Sequence, residues 1–406
     1  MYLLPKPKTI KEQDGQMLLC HSTHIVMTKE VAETEMHAAK RLQEAIRQET
    51  GLILTFSVGE VREGDLSLGI VKTLPEQTYE ITIDEKGGQI SGGDGAGVLY
   101  GVETFCQIVQ QCGGILPCVQ IQDAPDMPNR GYYFDQTRGR VLKLEELKKI
   151  ADRMSRYKLN QLQLYVEHTY LFRDFSEMWR DQTPLTAEEI RELDSYCRER
   201  HIELVPSLAS FGHLCTLLST KTYGDLCEME DSWKEPFSFW NRMRYHTINV
   251  SDERSLPLIK KMIVEYMQLF TSDKFNICAD ETFCLGKYKS KKHAEERGVH
   301  RLYIDYVKEL AQFLVENGKI PMFWGDIIWN SPELMKELPE SMICLNWGYA
   351  PGQREDETRA IAQTGAVQYL CPGVCGWNQW ANLIENSYKN ITRILYTFSK
   401  KIVYKH

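Results

Sequence analysis

Carboxylates, histidines and tryptophans stand directly after a series of short, mostly apolar runs in this sequence. The most suggestive pair is Asp280-Glu281, which follows the run at 275–279. Carboxylates and histidines bind hydroxyl groups, and the flat face of tryptophan stacks on the apolar face of a sugar ring. The pattern therefore predicts a carbohydrate site. Its candidate residues are Asp135, Glu167, His168, His213, Asp280, Glu281, Trp324, Asp326, Trp347 and Trp377.

The adjacent carboxyl groups of Asp280 and Glu281 point to proton transfer onto a glycosidic oxygen. Whichever of them faces inward is expected to be desolvated, which is how a carboxyl group becomes a general acid at neutral pH. Retaining glycosidases usually hold two carboxyl groups about 5–5.5 Å apart across the scissile bond, whereas neighbours on a strand point apart. The pair therefore fits substrate-assisted catalysis. Glu281 would be the acid, and Asp280 would hold the 2-acetamido group that acts as the nucleophile.

Other uses of these residues stay open at this point. Asp280-Glu281 could cap a helix, and the tryptophans could be core residues. The acidic groups could also form a two-metal site with His168 and His213. No His-x-His or His-x-x-x-His pair supports metal binding, so we expect neither a metal nor another cofactor.

From Arg130 onward, apolar runs alternate with amphipathic stretches, which predicts parallel strands joined by helices. Seven strands over this length favour an α/β fold of the TIM-type (β/α) barrel kind over an open doubly wound sheet, and no GxGxxG motif opens them. The carboxyl ends of barrel strands meet at one face, which would bring the candidate residues together. The strands are expected at 131–135, 161–166, 202–208, 275–279, 320–324, 342–347 and 367–371.

The residues before the barrel have a different pattern. Helices expected at 34–48 and 97–110, with strands at 52–58, 66–71 and 79–83, predict a small α+β domain. The glycine-rich stretch 91–95 lacks the Lys-Ser/Thr of a P-loop, so we interpret it as a tight turn. A linker at 122–129 places the expected boundary between a domain at 1–125 and a catalytic barrel at 126–406.

Composition narrows the class of protein. A net charge of −8, with no concentrated basic stretch, argues against nucleic-acid binding. No stretch approaches the ~20 apolar residues that cross a membrane, and the first residues do not resemble a secretory signal. Twelve cysteines are then expected to be reduced thiols in the cytoplasm. The expected partner is a small glycoside or oligosaccharide, and a homo-oligomer is possible.

With these residues in view, the chain resembles glycoside hydrolase family 20, the β-N-acetylhexosaminidases. Asn129 to Asp135 is similar to the family's first-strand Arg-Gly-x-x-x-Asp, in which Arg130 would grip two sugar hydroxyls. Ser210-Phe211-Gly212-His213 resembles its Pro-Gly-His, in which His213 would orient the acid. The resemblance implies an exo-acting enzyme that removes terminal β-linked N-acetylhexosamine. It implies a catalytic set of Asp280, Glu281 and His213, and substrate-binding roles for Arg130, Glu167, Trp324, Trp347, Trp377 and Asp326.

Asp280-Glu281 is similar to the family's Asp-Glu pair, with Cys278-Ala279 where Gly-Gly is usual. The chain departs from the family pattern in three further places. Its second strand ends in Tyr165-Val166-Glu167-His168-Thr169-Tyr170 rather than Trp-His-x-x-Asp-Asp, and Trp377 follows strand seven where a tyrosine is expected. After strand seven, one helix at about 383–394 is followed by no recognisable eighth strand. We therefore expect an incompletely closed barrel with unpaired edges at its first and seventh strands, covered by 394–406 or by another subunit. Activity would then be weak or absent.

Two rival functions remain at this level. A non-catalytic sugar-binding barrel would explain an incomplete fold. A glycosidase that uses two distant carboxylates, such as Glu167 with Glu281, would explain the acidic residues without the amide.

Overall fold

The computed structural model describes residues 1–138, 141–236, 238–348 and 355–373. They form two compact units. The first comprises Met1–Pro128, Lys148–Asn160 and Tyr196–Ile202. The second comprises Asn129–Leu147, Gln161–Ser195 and the described residues from Glu203 onward. No described helix is both long and apolar enough to cross a membrane.

The first unit is built on a mixed sheet of seven strands, in the order β1-β7-β5-β6-β4-β2-β3. Three helices accompany it, and the apolar side chains of the longest are buried against the sheet. The strands are β1 (Thr9–Leu18), β2 (His24–Met27), β3 (Thr55–Val58), β4 (Leu66–Ile70), β5 (Tyr79–Asp84), β6 (Gly87–Gly92) and β7 (Ile115–Asp123). The helices are α1 (Lys29–Thr34), α2 (Met36–Thr50) and α3 (Gly95–Cys112).

The glycine-rich stretch leads from β6 into α3 by a tight turn. Asp94 caps the helix, because its Oδ1 accepts the backbone N–H of Gly97 at 2.7 Å. A Cβ atom at Gly93 would lie 2.0 Å from the carbonyl oxygen of Pro75. The turn therefore packs directly on backbone, which leaves no space there for a phosphate group.

The second unit is built on seven parallel strands that lie side by side in chain order, which confirms the predicted parallel sheet. Helices alternate with them. The strands are β8 (Gly131–Asp135), β9 (Gln161–Val166), β10 (Glu203–Leu208), β11 (Lys274–Asn276), β12 (Ile320–Trp324), β13 (Ile343–Gly348) and β14 (Val367–Pro372). The helices that alternate with these strands along the chain are α4 (Leu144–Arg156), α5 (Ser176–Trp179), α6 (Ala187–Arg198), α7 (Cys215–Leu218), α8 (Phe239–Arg244), α9 (Ser255–Met267), α10 (Lys291–Arg297), α11 (Val299–Glu316) and α12 (Glu355–Gln363). Most of α4 and the end of α6 belong to the first unit.

The parallel sheet is curled, because side chains of distant strands meet inside it. Tyr133 on β8 packs edge-on against Trp324 on β12, with ring centroids 4.9 Å apart. Asn129, just before β8, donates from its side-chain amide to the Tyr369 hydroxyl on β14 at 3.2 Å. The first and seventh strands are thus brought towards each other, as a TIM-type barrel requires.

Within the described residues, β8 pairs only with β9 and β14 pairs only with β13. The unpaired edges and their cover by 394–406 both stay predictions, because residues 374–406 lie outside the described part of the chain.

Candidate active site

Five neighbouring strands deliver the candidate residues to one face of the barrel. Asp135 ends β8, Glu167 follows β9, and Trp324 ends β12. His213 lies five residues beyond β10, and Asp280 lies four beyond β11. All five are therefore at the carboxyl ends of parallel strands, where barrel active sites form.

His213 sits between the two predicted catalytic carboxylates. Its Nε2 lies 3.3 Å from Asp280 Oδ2 and 3.3 Å from Glu281 Oε2, and its side chain is only 1% exposed. The contacts are those of an ion pair, since neither ring nitrogen makes a directed hydrogen bond to a described residue. Burial alone would lower the pKa of His213, but the charge and contacts of the carboxylates raise this pKa to about 10. His213 is therefore a cation at neutral pH.

The carboxyl groups of Asp280 and Asp326 have pKa values shifted in opposite directions. Burial opposes ionisation of Asp280, but the charge of His213, helped by Arg138, holds its pKa below the usual range. Burial, reinforced by the negative charge of Asp280, raises the pKa of Asp326 well above its usual value. The two pKa values are thus pushed apart, which is typical of acid–base sites.

Asp326 also positions Glu281. Its Oδ2 accepts the backbone N–H of Glu281 at 3.0 Å. Its Oδ1 is buried without a hydrogen-bond partner among the described residues. Glu281 itself keeps 27% of its side chain exposed, so that it can reach a substrate.

Arg138 joins this site through the turn after β8. Its Nε donates to Asp135 Oδ2 at 2.7 Å and lies 3.8 Å from Glu167 Oε1. Its guanidinium also lies over the Tyr165 ring, 4.9 Å from the centroid. Burial opposes its charge, yet these electron-rich neighbours raise the pKa of Arg138 above its usual value. Arg138 is therefore a fixed cation beside Asp280.

Glu167 is held in place on both oxygens. Tyr165 donates its hydroxyl to Oε1 at 2.9 Å, and Arg242 donates to Oε2 at 3.1 Å. The neighbouring His168 contacts the Thr216 hydroxyl through Nδ1 at 3.2 Å, and burial lowers the pKa of this histidine. Glu167 is thus a buried partner of the cationic side chains around the site.

Comparison with known proteins identifies the family. Residues 1–124 match the family model "Glycosyl hydrolase family 20, domain 2", and residues 128–394 match "Glycosyl hydrolase family 20, catalytic domain". The chain belongs to glycosyl hydrolase family 20. The resemblance seen in the sequence is thereby confirmed.

Curated relatives and solved structures agree with this family assignment. A beta-hexosaminidase of Porphyromonas gingivalis is 24% identical over 411 residues, covering 92% of this chain and 50% of the relative. One from Vibrio furnissii is 26% identical over 310 residues, covering 69% and 48%. The chain thus spans about half the length of these relatives.

Solved structures share the fold. Flavobacterium johnsoniae chitobiase superposes with a TM-score of 0.77 at 20% identity, covering 92% of this chain and 59% of that one. A Vibrio harveyi exo β-N-acetylglucosaminidase, solved in complex with N-acetylglucosamine, gives 0.75 at 19% identity, covering 92% and 60%.

The structure brings together only part of the predicted site of this family 20 chain. His213, Asp280, Glu281 and Asp326 converge through the contacts described above. Trp324 is 7% exposed and ends β12, and Trp347 lies near the end of β13. Trp377 lies outside the described residues, so its role stays a prediction.

Arg130 is not brought to this face. It precedes β8, and its carbonyl oxygen accepts the N–H of Gln161, the first residue of β9. Five residues of strand, roughly 17 Å, separate it from the carboxyl end. Its expected contact with substrate is therefore not supported by the fold. Sequence reasoning missed Arg138 instead, although its position three residues past a strand-ending aspartate was a usable signal.

Arg138→Lys should therefore reduce kcat/KM by at least about tenfold, because a lysine has no planar guanidinium with which to keep the contacts to Asp135 and Glu167 together. Arg130→Lys is the matched control and should change kcat/KM by less than about threefold. Both values should be measured on folded protein, with circular dichroism to correct for any loss of stability. If Arg130→Lys reduced kcat/KM more than Arg138→Lys, Arg130 and not Arg138 would be the residue that binds the sugar.

The backbone before the catalytic pair is strained. Cys278, Ala279 and Glu281 all have positive φ angles, of 58°, 62° and 48°. Such left-handed conformations cost non-glycine residues about 1–3 kcal/mol each. These positive φ angles explain why the family usually has glycines at the positions of Cys278 and Ala279. The Tyr303 hydroxyl donates to the Ala279 carbonyl at 3.0 Å and helps to hold this segment.

Ala279→Gly should leave the free energy of unfolding within about 0.5 kcal/mol, because relief of the left-handed conformation offsets the loss of a buried methyl group. Ala209 is equally buried and has no positive φ, so Ala209→Gly should cost about 1–2 kcal/mol. Urea denaturation measures both. Equal losses would mean that residue 279 is not strained.

Gly212 allows the loop after β10 to touch the catalytic segment. A Cβ atom at this position would lie 2.5 Å from the carbonyl oxygen of Asp280 and 3.3 Å from that of Glu281. The contact is with backbone, so that neither partner can move aside without shifting the catalytic pair. Gly212 thus sets the distance between His213 and the two carboxylates.

Gly212→Ala should lower kcat/KM by roughly 10²-fold, since a displacement of about 1 Å at a catalytic group has that effect. Gly114→Ala is a suitable control because its Cβ would make only ordinary contacts, with the Thr50 methyl group at 3.6 Å and the Leu19 carbonyl oxygen at 3.9 Å. Steady-state kinetics of both variants decides the point. Near-normal activity of Gly212→Ala would show that the segment tolerates the shift.

His213, Asp280 and Glu281 also resemble a metal site, because one donor atom of each lies within 4.8 Å of the others. His213 has a pKa of about 10 beside the two carboxylates, so a metal ion would have to displace its proton before the ring nitrogen could donate a lone pair. Charge balance between the cation and the two carboxylates also accounts for the cluster without a metal.

Proposed function

We propose that this chain is an exo-acting β-N-acetylhexosaminidase that retains the anomeric configuration by substrate-assisted catalysis. The observation that carries the proposal is the cation of His213 between Asp280 and Glu281. Both carboxyl groups lie 3.3 Å from the same ring nitrogen, so they stand side by side. A covalent carboxylate nucleophile would instead have to face the acid across the scissile bond.

In the first step, Glu281 donates its proton to the glycosidic oxygen, and the bond from that oxygen to C1 breaks. The carbonyl oxygen of the substrate's 2-acetamido group attacks C1 from the opposite face, which forms a bicyclic oxazolinium ion. Asp280 accepts the amide N–H, which orients the carbonyl oxygen and stabilises the positive charge that develops. His213 balances the charge of Asp280 throughout.

In the second step, the Glu281 carboxylate removes a proton from water, and the water oxygen attacks C1. The C1 bond to the amide oxygen breaks, and the acetamido group is restored. Two inversions give net retention. Trp324 and Trp347 are proposed to face the sugar ring, and Asp135 with Arg138 to bind its hydroxyls.

The related structure from Vibrio harveyi supports N-acetylglucosamine as the sugar, because N-acetylglucosamine is bound in it. Purified protein should release 4-nitrophenol from the β-N-acetylglucosaminide. The β-glucoside, which lacks the amide, should react at least about 10³-fold more slowly, an expected loss typical of removing the internal nucleophile. Equal rates on both would overturn the proposed mechanism.

The rival functions are separated by the same assay. A sugar-binding barrel would bind the glycoside without turnover. A glycosidase using Glu167 is disfavoured, because both oxygens of Glu167 already accept hydrogen bonds. The cytoplasmic location and the homo-oligomer stay predictions, to be tested by cell fractionation and by size-exclusion chromatography with light scattering.

A further inference from the structure

A cavity of about 280 Å³ opens beside the catalytic segment. Its first wall begins two residues after Glu281, at Phe283, whose N–H donates to the Glu281 carbonyl at 2.7 Å. Its second wall is the end of α8 and the residue after it. The lining residues are Arg244, Tyr245, Phe283, Cys284, Lys287 and Tyr288.

The cavity is built rather than incidental, because its walls are tied together. The Cys284 thiol donates to the carbonyl oxygen of Arg244, with a sulfur–oxygen distance of 3.0 Å. Buried Glu228 anchors the first wall, since its Oε1 accepts the N–H of Tyr288 at 3.2 Å and both the N–H and hydroxyl of Ser290. The space between the walls is therefore preformed.

Its surface combines exposed aromatic rings with positive charge. Phe283 and Tyr288 are 42% and 43% exposed, so both give the cavity aromatic surface that a ligand can reach. Arg244 stacks on the exposed ring of Trp240, 5.3 Å from its centroid. Sugar rings bind to aromatic faces of this kind.

Arg244 and Lys287 have no ionic partner among the residues that the structure describes. Within the described part of the chain, no carboxylate lies within 4.0 Å of Arg244 or Lys287, and no acidic residue lines the cavity. The nearest acidic influences are Glu235 on Tyr288 and buried Glu228 on Cys284. In a chain with a net charge of −8, two cations that line one cavity together with no acidic residue make a local positive surface.

We propose that this cavity binds the leaving-group sugar and selects one that carries a negative charge, a carboxylate or a sulfate. The inference rests on the proposed function, because a general acid stands on the leaving-group side of the scissile bond. The segment that continues past Glu281 therefore flanks that sugar. Phe283 and Tyr288 would contact its ring, and Arg244 with Lys287 its anionic group.

Three disaccharides test this selectivity: N-acetylglucosamine β-linked to glucose, to glucuronic acid and to glucose 6-sulfate. The ratio of kcat/KM for each charged substrate to that for the neutral one is measured at low and high salt. At least one charged substrate should be preferred by about tenfold, the effect of one charge-assisted hydrogen bond, and 0.5 M NaCl should abolish the preference. Which charged substrate wins distinguishes carboxylate from sulfate.

The double variant Arg244→Gln, Lys287→Gln should bring the ratio close to one. Lys292→Gln, at an exposed position on α10 outside the cavity, is the control and should preserve the preference. Because the readout is a ratio, general loss of activity or stability does not affect it. A ratio near one in the unmodified protein, or an unchanged ratio in the double variant, would overturn the proposal.

A binding experiment tests the cavity even if the chain proves not to be a hexosaminidase. If no N-acetylglucosaminide is hydrolysed, the same cavity is tested by titrating the protein with methyl β-glucuronide and methyl β-glucoside, followed by NMR. Selective binding of the glucuronide, lost in the double variant, would support an anionic-sugar site without catalysis. Equal binding of both sugars would overturn it.

Discussion

Glu281→Gln is expected to lower kcat by about 10²–10⁴-fold, the range for loss of one proton-transfer group. The amide keeps the size of the side chain but cannot donate an acidic proton to the leaving oxygen. It also cannot remove the proton from water in the second step. The loss should be smallest for a 4-nitrophenyl leaving group, which needs little protonation, and largest for a second sugar.

The pattern across leaving groups is the diagnostic part of this experiment. Azide, which needs no general base, should restore part of the second step and yield a β-glycosyl azide. Glu253→Gln, at an exposed position of the same unit, is the control for the change from glutamate to glutamine. Should Glu281→Gln retain more than half of normal activity on every substrate, Glu281 is not the acid.

Asp280→Asn is expected to have a comparably large effect, for an electrostatic reason. The substitution preserves shape but removes the negative charge that balances His213 at 3.3 Å. The pKa of His213, now about 10, should fall, because burial opposes its charge and Asp280 is the largest favourable influence. Above the new pKa the histidine is neutral, and the oxazolinium ion loses its stabilising anion.

One measurement tests the fall in the pKa of His213, and another tests the loss of oxazolinium stabilisation. NMR titration of the His213 ring should show its midpoint move to lower pH in Asp280→Asn. A thiazoline that mimics the oxazolinium ion should bind the unmodified protein at least about 10²-fold more tightly than N-acetylglucosamine, as analogues of high-energy species do. Asp280→Asn should lose most of that advantage. Unchanged thiazoline affinity would remove Asp280 from the mechanism.

The barrel was predictable from sequence because its strands are short apolar runs separated by amphipathic helices. The rule that parallel strands share a carboxyl end then brings His213 and Asp280 together without any structure. In any parallel barrel the residues that follow the strands lie close together, so a sequence pattern that locates the strands also predicts the site. Glu281 is predicted to lie there because it is adjacent to Asp280.

Features that depend on turns and on distant loops were not predictable in this way. Arg130 lies in a family-like Arg-Gly motif, but the motif begins the strand, and only the turn beyond Asp135 reaches the site. The raised pKa of Asp326 arises from burial next to Asp280, which no sequence spacing encodes. Likewise, Arg244 and Lys287 line one cavity only because the segments that follow β10 and β11 fold together.

Participation of the substrate's own amide is tested most directly by a series of 4-nitrophenyl glycosides whose 2-acetamido group carries no, one, two or three fluorine atoms. Fluorine withdraws electrons from the carbonyl oxygen and weakens it as a nucleophile, while the leaving group stays the same. The proposed mechanism predicts that kcat/KM falls steeply and progressively along the series. A flat series, with normal hydrolysis of the trifluoro compound, would contradict catalysis by the amide.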